Sequence, residues 1–404
     1  MIKEANLRVK PKYIKKYQSG YPLILEDSII NYNHLNEEGM VVNLIDEKNN
    51  FIGKGYYGKQ NKGLGWVLSR EENEKIDHAF FHNKIKSAIN RRKKYYSDNE
   101  TTAFRVFNGE GDGIGGITID YFDGYYLINW YSKGIYGFKD HILNSINDLI
   151  DYKAVYQKRR FDYEGKSLEE DDFVTGERGN FPIIVKENGV IFSIYLNDGP
   201  MVGLFLDQRE VRKKLRDKYA AGKNVLNTFS YTGVFSVYAV LGGARKTTSV
   251  DLANRSLNKT KEQFSINNID YNAQDIIVDD VFNYFKYAIK KNLKFDLLIL
   301  DPPSFARSKK HTFSVAKDYV NLLKEGIVLT EDNGVIIAST NYSNIDMNKF
   351  KTFIDKAFKD LNGKYEIVEE FSLPEDFKVI DAFSEGNYLK VLFIKKVHTK
   401  KKVR

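Results

Sequence analysis

The apolar run Leu297-Leu298-Ile299-Leu300, which stops at Asp301-Pro302-Pro303, is the feature that most constrains the fold of this chain. Consecutive apolar residues of this kind indicate a strand buried on both faces, which is typical of a parallel sheet covered by helices. Proline donates no hydrogen bond to a neighbouring strand, so we expect the strand to end at Asp301. Because open parallel sheets bind ligands outside the carboxyl ends of their strands, Asp301 is a candidate site residue.

Strand and helix patterns alternate from about residue 186 to the end of the chain. This alternation predicts an α/β fold with a doubly wound parallel sheet over residues 186–404. The region begins with the hairpin arm GVIFSIYLND and a helix with Val211, Leu215 and Tyr219 on one face and Arg and Lys residues on the other. The predicted strands are Asn224–Thr228, Lys246–Val250, Asp275–Val278, Leu297–Leu300 and Val335–Ser339.

The first half of the chain predicts two smaller domains, since 404 residues exceed one ordinary domain. Residues 1–75 predict a small β-rich module, with strands on both sides of the turn signal Glu47-Lys48-Asn49-Asn50 and another strand at Gly63–Leu68. Residues 76–185 predict an α+β middle domain. Apolar residues at helical spacing between Ile76 and Lys94 predict an amphipathic linker helix at its start.

A formal G-x-G-x-x-G pattern occurs at Gly111, Gly113 and Gly116. A dinucleotide fingerprint requires a helix after its glycines. Here Ile117–Trp130 follows, and it predicts two β runs around Asp123-Gly124. We therefore interpret the glycines as a tight acidic loop in a β-rich region.

The composition favours a polyanionic partner and excludes several kinds of site. Net charge is +8, and the excess gathers in clusters interleaved with aromatics, which suit phosphates and unstacked bases. The absence of cysteine excludes disulfides, thiolate metal sites and cysteine nucleophiles. Six histidines show no ligand spacing, so no metal site is predicted, and no apolar run of about 18 residues predicts a membrane span. The basic clusters are Lys10–Lys16, Asn90–Tyr96, Gln157–Phe161, Arg307–Lys310 and Lys395–Arg404.

Candidate ligand-binding residues follow three further predicted strands. Gly233 lets the backbone approach a ligand, and the helix N-terminus behind it attracts a carboxylate. Asp251 ends the second strand, where an acid accepts from ribose hydroxyls. Asp280, or else Asp279, follows the third and is placed to accept from an adenine amino group. Each acid alone also fits a helix N-cap. The glycine turn and the three acids together lie at the ends of four predicted strands, and this combination fits the groups of S-adenosylmethionine.

The stretches GLFLDQR, NTFSYTGVFSVYAVLGGARKTTSVDLAN, DDVFNYF and LDPPSFARSK resemble class I large-subunit rRNA methyltransferases of the RlmI/RlmK type. The resemblance extends over nearly the whole chain, and the N-terminal module and GEGDGIGGITIDYFD resemble that family's PUA and middle domains. It implies a Rossmann-like enzyme that uses S-adenosyl-L-methionine and binds RNA. The implied cofactor pocket comprises Phe205, Asp207, Arg209, Phe229, Tyr231, Thr232, Gly233, Asp251, Leu252, Asp280 and Asp301.

One position departs from the family pattern, and this departure affects which base the enzyme is expected to methylate. RlmI-type enzymes that form 5-methylcytosine carry a cysteine just after the fifth strand, where GVIIASTNYSN has Asn341. Carbon 5 of cytosine becomes nucleophilic only after a thiolate adds to carbon 6, which this chain cannot supply. RlmK-type domains are polar at this point and methylate N7 of guanine, whose lone pair needs only positioning and charge. We therefore expect 7-methylguanosine as the product.

The resemblance also implies the catalytic residues. We expect Asp301, Pro302 and Pro303 to form the wall between the methyl donor and a flipped base. Phe305 is expected to stack on that base and Asn341 to hydrogen-bond its edge. The alternatives are a loop aromatic packed on its own domain for Phe305 and a plain turn residue for Asn341.

Two rival functions stay open on the sequence alone. One is methylation of an exocyclic base amine, which an Asp-Pro-Pro-aromatic turn also suits, and the other is a catalytically idle RNA-binding module. The expected partner is 23S rRNA or a large-subunit precursor, with no membrane involved. The expected location is the cytoplasm, and a homodimer is left open.

Overall fold

The computed structural model describes residues 4–33, 35–60, 63–161, 172–307 and 312–398. Within these described ranges, no helix is both long and apolar enough to cross a lipid bilayer. The chain divides into two compact units. Unit 1 consists of Met1–Val185, Ile194–Val202 and Glu375–Gly386, and unit 2 consists of Lys186–Ser193, Gly203–Pro374 and Asn387–Arg404.

Unit 1 contains two five-stranded sheets and their helices. The strands are β1 (Glu4–Arg8), β2 (Leu23–Ile24), β3 (Val41–Ile45), β4 (Phe51–Gln60), β5 (Gly63–Ser69), β6 (Ala103–Asn108), β7 (Ile117–Phe122), β8 (Tyr125–Trp130), β9 (Ala154–Arg159) and β10 (Phe173–Gly176). The helices are α1 (Pro11–Gln18), α2 (His78–Arg91), α3 (Lys93–Tyr96), α4 (Lys133–Tyr136) and α5 (Lys139–Leu149). The strand orders are β1-β3-β4-β5-β2 and β10-β9-β8-β7-β6.

The two sheets of unit 1 share one hydrophobic core. Tyr56 and Trp66 of the first sheet belong to the same cluster of buried side chains as Ile117 and Trp130 of the second. The Tyr56 hydroxyl also donates a hydrogen bond to the carbonyl oxygen of Gly115 over 2.8 Å. Residues on both sides of the predicted boundary at residue 75 thus contribute to one core.

The predicted helix after residue 75 is confirmed over most of its length. It begins as α2 after Asp77, whose carboxylate accepts the Phe80 N–H over 3.2 Å, and it ends at Arg91. The predicted linker role is wrong, because α2 buries Phe81 and Ile85 in the core of unit 1 and packs against α5. The glycine loop precedes the hairpin β7–β8 and no helix, which confirms that the formal G-x-G-x-x-G pattern is not a dinucleotide motif.

Two of the basic clusters provide structural ion pairs. Arg92 is buried and donates to both carboxylate oxygens of Asp112, over 2.9 and 2.7 Å, and also to the carbonyl oxygen of Asp376. Lys158 is fully buried and pairs with Asp172. These cations are therefore not available to a polyanion. By contrast, Lys12, Lys15 and Lys16 on α1 are exposed, while residues 308–310 and 399–404 of the other two clusters lie outside the described residues.

Unit 2 contains the predicted parallel sheet. The chain passes from unit 1 into unit 2 within the hairpin β11 (Ile183–Glu187) and β12 (Val190–Ile194), of which Lys186–Ser193 belongs to unit 2. The other strands are β13 (Asn224–Thr228), β14 (Lys246–Asp251), β15 (Asp275–Val278), β16 (Phe295–Leu300), β17 (Phe305–Arg307), β18 (Thr312–Ser314), β19 (Thr330–Thr340), β20 (Lys364–Phe371) and β21 (Lys390–Val397). The helices are α6 (Arg209–Lys214), α7 (Val234–Leu241), α8 (Asn254–Ile266), α9 (Val281–Lys290), α10 (Val315–Leu329) and α11 (Met347–Asp360).

Seven strands of unit 2 form one sheet in the order β15-β14-β13-β16-β19-β21-β20. The first five are parallel, and β21 runs antiparallel to both of its neighbours. The strand order reverses between β13 and β16, which creates the crevice where ligands of such sheets bind. The predicted doubly wound α/β fold is confirmed, and Leu297–Leu300 in β16 are buried as expected.

The helix after GLFLDQR differs from the prediction. Val211 and Leu215 are buried as expected and Lys213 and Lys218 of the predicted polar face are exposed, but Arg212, which was predicted for the same face, is buried. Its guanidinium donates to both carboxylate oxygens of Glu187, each over 2.8 Å. Glu187 belongs to the preceding hairpin, so only the tertiary fold supplies the partner that lets an arginine face inward. The helix α6 continues into a single π-helical turn at Leu215–Tyr219.

Candidate active site

The strand register brings the predicted site residues to one edge of the sheet. Thr228 pairs with Val250 on one side and with Leu300 on the other, and Leu300 pairs with Ala338. The residues that directly follow these four are Phe229, Asp251, Asp301 and Ser339, so these four residues lie at the same level in four adjacent strands, at or within two residues of each strand's carboxyl end.

The loop between β13 and α7 has an unusual backbone. Phe229 and Tyr231 have φ angles of 53° and 52°, and Gly233 has 74°. Left-handed conformations are uncommon for residues with a side chain and are concentrated at functional sites, where the surrounding structure sustains the strain. At Gly233 a Cβ atom would lie 2.5 Å from Thr260, so no other residue fits without displacement. The loop leads directly into the N-terminus of α7, whose free N–H groups favour an anionic ligand group.

Asp251 is held rigidly at the end of β14. One carboxylate oxygen accepts the N–H of Tyr231 and the other accepts the N–H of Ala253, each over 2.9 Å. Burial raises the pKa of Asp251, and the two backbone donors counteract this in part. Leu252, the next residue, is mostly exposed. The geometry leaves a fixed, partly desolvated carboxylate of the kind that accepts from sugar hydroxyls.

Asp280 follows β15 and caps the next helix. Its carboxylate accepts the N–H of Phe282 over 2.9 Å, which makes it the N-cap of α9. The neighbouring Asp279 accepts from the N–H of Asp280 over 2.7 Å and from the amide of Asn283 over 3.3 Å. The cap role considered from the sequence is thus present at Asp280, and any contact with an adenine amine would add to it.

Asp301 is anchored by two side chains from distant parts of unit 2. One carboxylate oxygen accepts from the amide of Gln208 over 2.7 Å, and the other accepts from the hydroxyl of Ser339. The carbonyl oxygen of Ser339 in turn accepts from the Tyr319 hydroxyl over 2.8 Å. Burial raises the pKa of Asp301, against the lowering influence of these donors. Pro302 and Pro303 follow directly and turn the chain away from the sheet.

The remaining predicted pocket residues surround the same loop. The rings of Phe205 and Tyr231 lie 5.3 Å apart between centroids, and the Thr232 hydroxyl donates to the carbonyl oxygen of Gly203 over 2.7 Å. Asp207 accepts from the hydroxyl of Tyr388 over 3.0 Å. Arg209, by contrast, is buried at the start of α6.

The Asp-Pro-Pro turn continues into a short hairpin. Phe305 lies on β17, which pairs with β18, and it is 62% exposed. Most of the Phe305 surface is therefore open to solvent. Asn341 is exposed after β19, and its side-chain oxygen accepts from the Ser304 hydroxyl over 2.6 Å. This bond links Asn341 to the residue that directly precedes Phe305.

Sequence reasoning missed the residues that hold the site together. Gln208, Ser304 and Ser339 each donate to a predicted site residue, but none was singled out. Gln208 stands between two predicted residues in LDQR, and Ser339 ends a predicted strand. Both signals were present, although only the folded chain shows which acid these side chains meet.

An open parallel sheet with a glycine turn and acids at successive strand ends defines a class I methyltransferase. A family model described as S-adenosylmethionine-dependent methyltransferase matches residues 154–394, and a PUA-like domain matches residues 7–70. The chain belongs to the S-adenosylmethionine-dependent methyltransferase family.

The chain is similar over nearly its whole length to known proteins. A Bacillus subtilis (strain 168) protein provisionally named ribosomal RNA large subunit methyltransferase YwbD is 60% identical over 96% of this chain and 99% of its own. Ribosomal RNA large subunit methyltransferase I of Alteromonas mediterranea is 29% identical over 96% and 98%. A crystal structure provisionally described as a methyltransferase, complexed with SAH, is 38% identical, has a TM-score of 0.89, and covers 97% of this chain and 100% of its own.

The cofactor is S-adenosyl-L-methionine, and the site has the chemistry to hold it. Among the described residues, the hydrogen-bond donors to Asp251 and Asp301 are neutral, so no charged side chain donates a hydrogen bond to either carboxylate at the sheet edge. Such an edge suits a ligand with cationic sulfonium and ammonium groups. When bound, the cofactor supplies a methyl group carried on its sulfonium.

Proposed function

We propose that this enzyme methylates N7 of a guanine in large-subunit ribosomal RNA. The names of the two curated relatives support rRNA as the substrate class. The absence of cysteine supports a ring nitrogen as the acceptor, because this chain has no thiolate to activate a pyrimidine carbon. An rRNA substrate would place the enzyme in the cytoplasm.

The contact between Asn341 and Ser304 is the observation that supports guanine as the methylated base. Because the Asn341 oxygen accepts from the Ser304 hydroxyl over 2.6 Å, the amide is oriented with its NH₂ group turned away as a donor. Guanine presents two acceptors, N7 and O6, on one edge. We assign the Asn341 amide to O6, which leaves the N7 lone pair for the methyl group, and Phe305 to stacking on the flipped ring.

A ring nitrogen demands less of the site than an exocyclic amine does. An amine must lose a proton during transfer, and a nearby oxygen has to accept its N–H. Each carboxylate oxygen of Asp301 accepts one hydrogen bond, from Gln208 or from Ser339, and keeps a second lone pair. N7 of guanine carries no proton, so its methylation requires no such acceptor. We assign Asp301 to positioning the turn and to negative charge beside the sulfonium.

We further propose that the PUA-like segment contributes to RNA binding through α1. Lys12, Lys15 and Lys16 are exposed there, and phosphate contacts of this kind make affinity fall linearly in log salt concentration. Deleting residues 1–75 would open the core of unit 1, so the informative variant replaces these three lysines by glutamine. The predicted domains 1–75, 76–185 and 186–404 stay proposals in this scheme.

The test is a reaction of the purified enzyme with rRNA, followed by nucleoside mass spectrometry. We expect 7-methylguanosine, and borohydride with aniline should then cleave the RNA at one guanosine. Asn341→Ala should slow the reaction, whereas Asn344→Ala, three residues along the chain, should not. A methylated exocyclic amine would refute the N7 assignment, 5-methylcytosine would refute the mechanism, and no product with any rRNA would support an idle RNA-binding module.

A further inference from the structure

Two histidines and a carboxylate converge on the surface of unit 1, in a region that the methyl-transfer chemistry does not use. His78 and His82 are four residues apart on α2, so their side chains lie on the same face one helical turn apart. Asp148 projects from α5, which packs against α2. Its Oδ2 atom lies 3.3 Å from Nε2 of His78 and 3.8 Å from Nδ1 of His82.

Ordinary hydrogen bonding does not account for this arrangement. Nε2 of His78 and Nδ1 of His82 are both shielded from solvent, yet neither has a hydrogen-bond partner among the described residues. Buried polar atoms without partners are costly and require an explanation. Both atoms face the same carboxylate oxygen, and the three candidate ligand atoms lie within 4.8 Å of one another.

We propose that His78, His82 and Asp148 bind a divalent transition metal, with Zn²⁺ as the foremost candidate. Tetrahedral zinc with bonds of about 2.0–2.2 Å places its ligand atoms roughly 3.4 Å apart, close to the two nitrogen–oxygen distances here. Two imidazoles and one carboxylate leave a fourth position for water. The three side chains are between 26% and 52% exposed, so a metal ion can reach the site from solvent.

The sequence prediction of no metal site depended on the apparent lack of ligand spacing among six histidines. The pair H-x-x-x-H does have the spacing of one helical turn, but its third ligand is 66 residues further along. The metal would cross-link α2 and α5. Because it binds the folded state, it should raise the melting temperature of unit 1 as its concentration rises.

The test is titration of the full-length, metal-free protein with Zn²⁺ by calorimetry, and with Co²⁺ by visible absorption. We expect one strong site per chain and a Co²⁺ spectrum of tetrahedral type. No thiolate can contribute, because the chain has no cysteine. His78→Ala and His82→Gln should each weaken binding by at least roughly tenfold, and Asp148→Asn should do the same.

His398→Ala is the matched control. His398 and Asp332 form an exposed histidine–carboxylate pair, 2.6 Å apart, which no second histidine joins within the described part of the chain. This variant should keep the affinity and the Co²⁺ spectrum of the parent chain. Equal metal binding by the parent and His78→Ala, or equal loss in His398→Ala, would refute the site. Circular dichroism of the metal-free variants separates loss of a ligand from loss of the fold.

Discussion

The core of unit 1 and the sheet edge of unit 2 both contain desolvated carboxylates, but they compensate them differently. In unit 1, Asp112 is paired with Arg92 over 2.7 Å and Asp120 with Arg105 over 2.6 Å. In unit 2, the described donors to Asp251 and Asp301 are backbone or side-chain groups without charge. Burial raises the pKa of Asp120 as well, and there the arginine that opposes it also donates hydrogen bonds to the carboxylate.

The buried ion pairs of unit 1 stabilise its core, whereas the carboxylates at the sheet edge of unit 2 are available to a ligand. A buried ion pair compensates itself and attracts nothing further. A desolvated carboxylate whose hydrogen-bond donors are all neutral can still pair directly with a cationic ligand, and carboxylates with a raised pKa are typical of functional sites. The edge of unit 2 can therefore attract a cationic ligand, whereas the core of unit 1 cannot.

The largest effect is expected at Arg92. Arg92→Ala removes the buried partner that donates to both oxygens of Asp112 and leaves only the half-exposed Arg91 nearby, so unfolding should become easier by about 3–5 kcal/mol. Both tryptophans, Trp66 and Trp130, lie in unit 1, so urea unfolding followed by tryptophan fluorescence reports on this unit. Arg91→Ala is the control, since this 42% exposed side chain lies 3.6 Å from the same carboxylate and should cost at most about 1 kcal/mol. Equal losses in the two variants would contradict the comparison.

Asp301→Asn should lower the methylation rate by about 10²–10³-fold while the unfolding midpoint stays nearly unchanged, because it removes charge and keeps the shape. Single-turnover kinetics with rRNA measure this effect. Asp296→Asn, at the other end of the same strand, is the control and should keep the rate of the parent enzyme. Its carboxylate accepts the N–H of Asn224 over 2.8 Å, away from the carboxyl edge. A fully active Asp301→Asn enzyme would refute the role of the charge.

Asp251→Ala should weaken binding of S-adenosylhomocysteine by about 1–3 kcal/mol, measured by calorimetry, since a buried polar partner is lost. Burial raises the pKa of Asp251, so affinity should fall on acidification at a pH above the usual carboxyl range. This step should be absent from the variant. Asp275→Ala, at the start of β15, is the control and should bind as the parent does. Unchanged affinity in Asp251→Ala would remove this residue from the pocket.

The smallest effect is expected for an exposed pair of unit 1. Lys153 donates to Asp123 over 3.0 Å, and this hydrogen bond raises the pKa of the lysine. Lys153→Ala should cost at most about 1 kcal/mol of unfolding free energy, because solvent screens the pair. A raised lysine pKa stabilises the fold below the pKa of the unfolded chain, and this contribution is lost as pH rises through the folded-state pKa. A loss as large as that in Arg92→Ala would show that burial is not what distinguishes these pairs.

Local patterns in the sequence determined the five parallel strands of the unit 2 sheet and the carboxyl ends of these strands to within one residue, but not the antiparallel strands β20 and β21 or the start of β19. The predicted limits of β13 and β15 agree with the structure at both ends, and β16 begins only two residues earlier than predicted. Periodicity and turn residues act over a few neighbours, so a chain can be interpreted segment by segment. The same reasoning found the acid that follows β14 and the acid that follows β16.

Only the tertiary structure decided which partner each charged group meets. Asp301 bonds to Gln208, 93 residues away, and Arg92 bonds to the backbone of Asp376, 284 residues away. The same holds for the contact of Asp148 with the two histidines of α2. Whether a basic residue faces solvent or a buried carboxylate depends on desolvation and on the partner that the fold delivers. Neither is encoded in the spacing of neighbouring residues, because both arise from segments that meet only after the chain has folded.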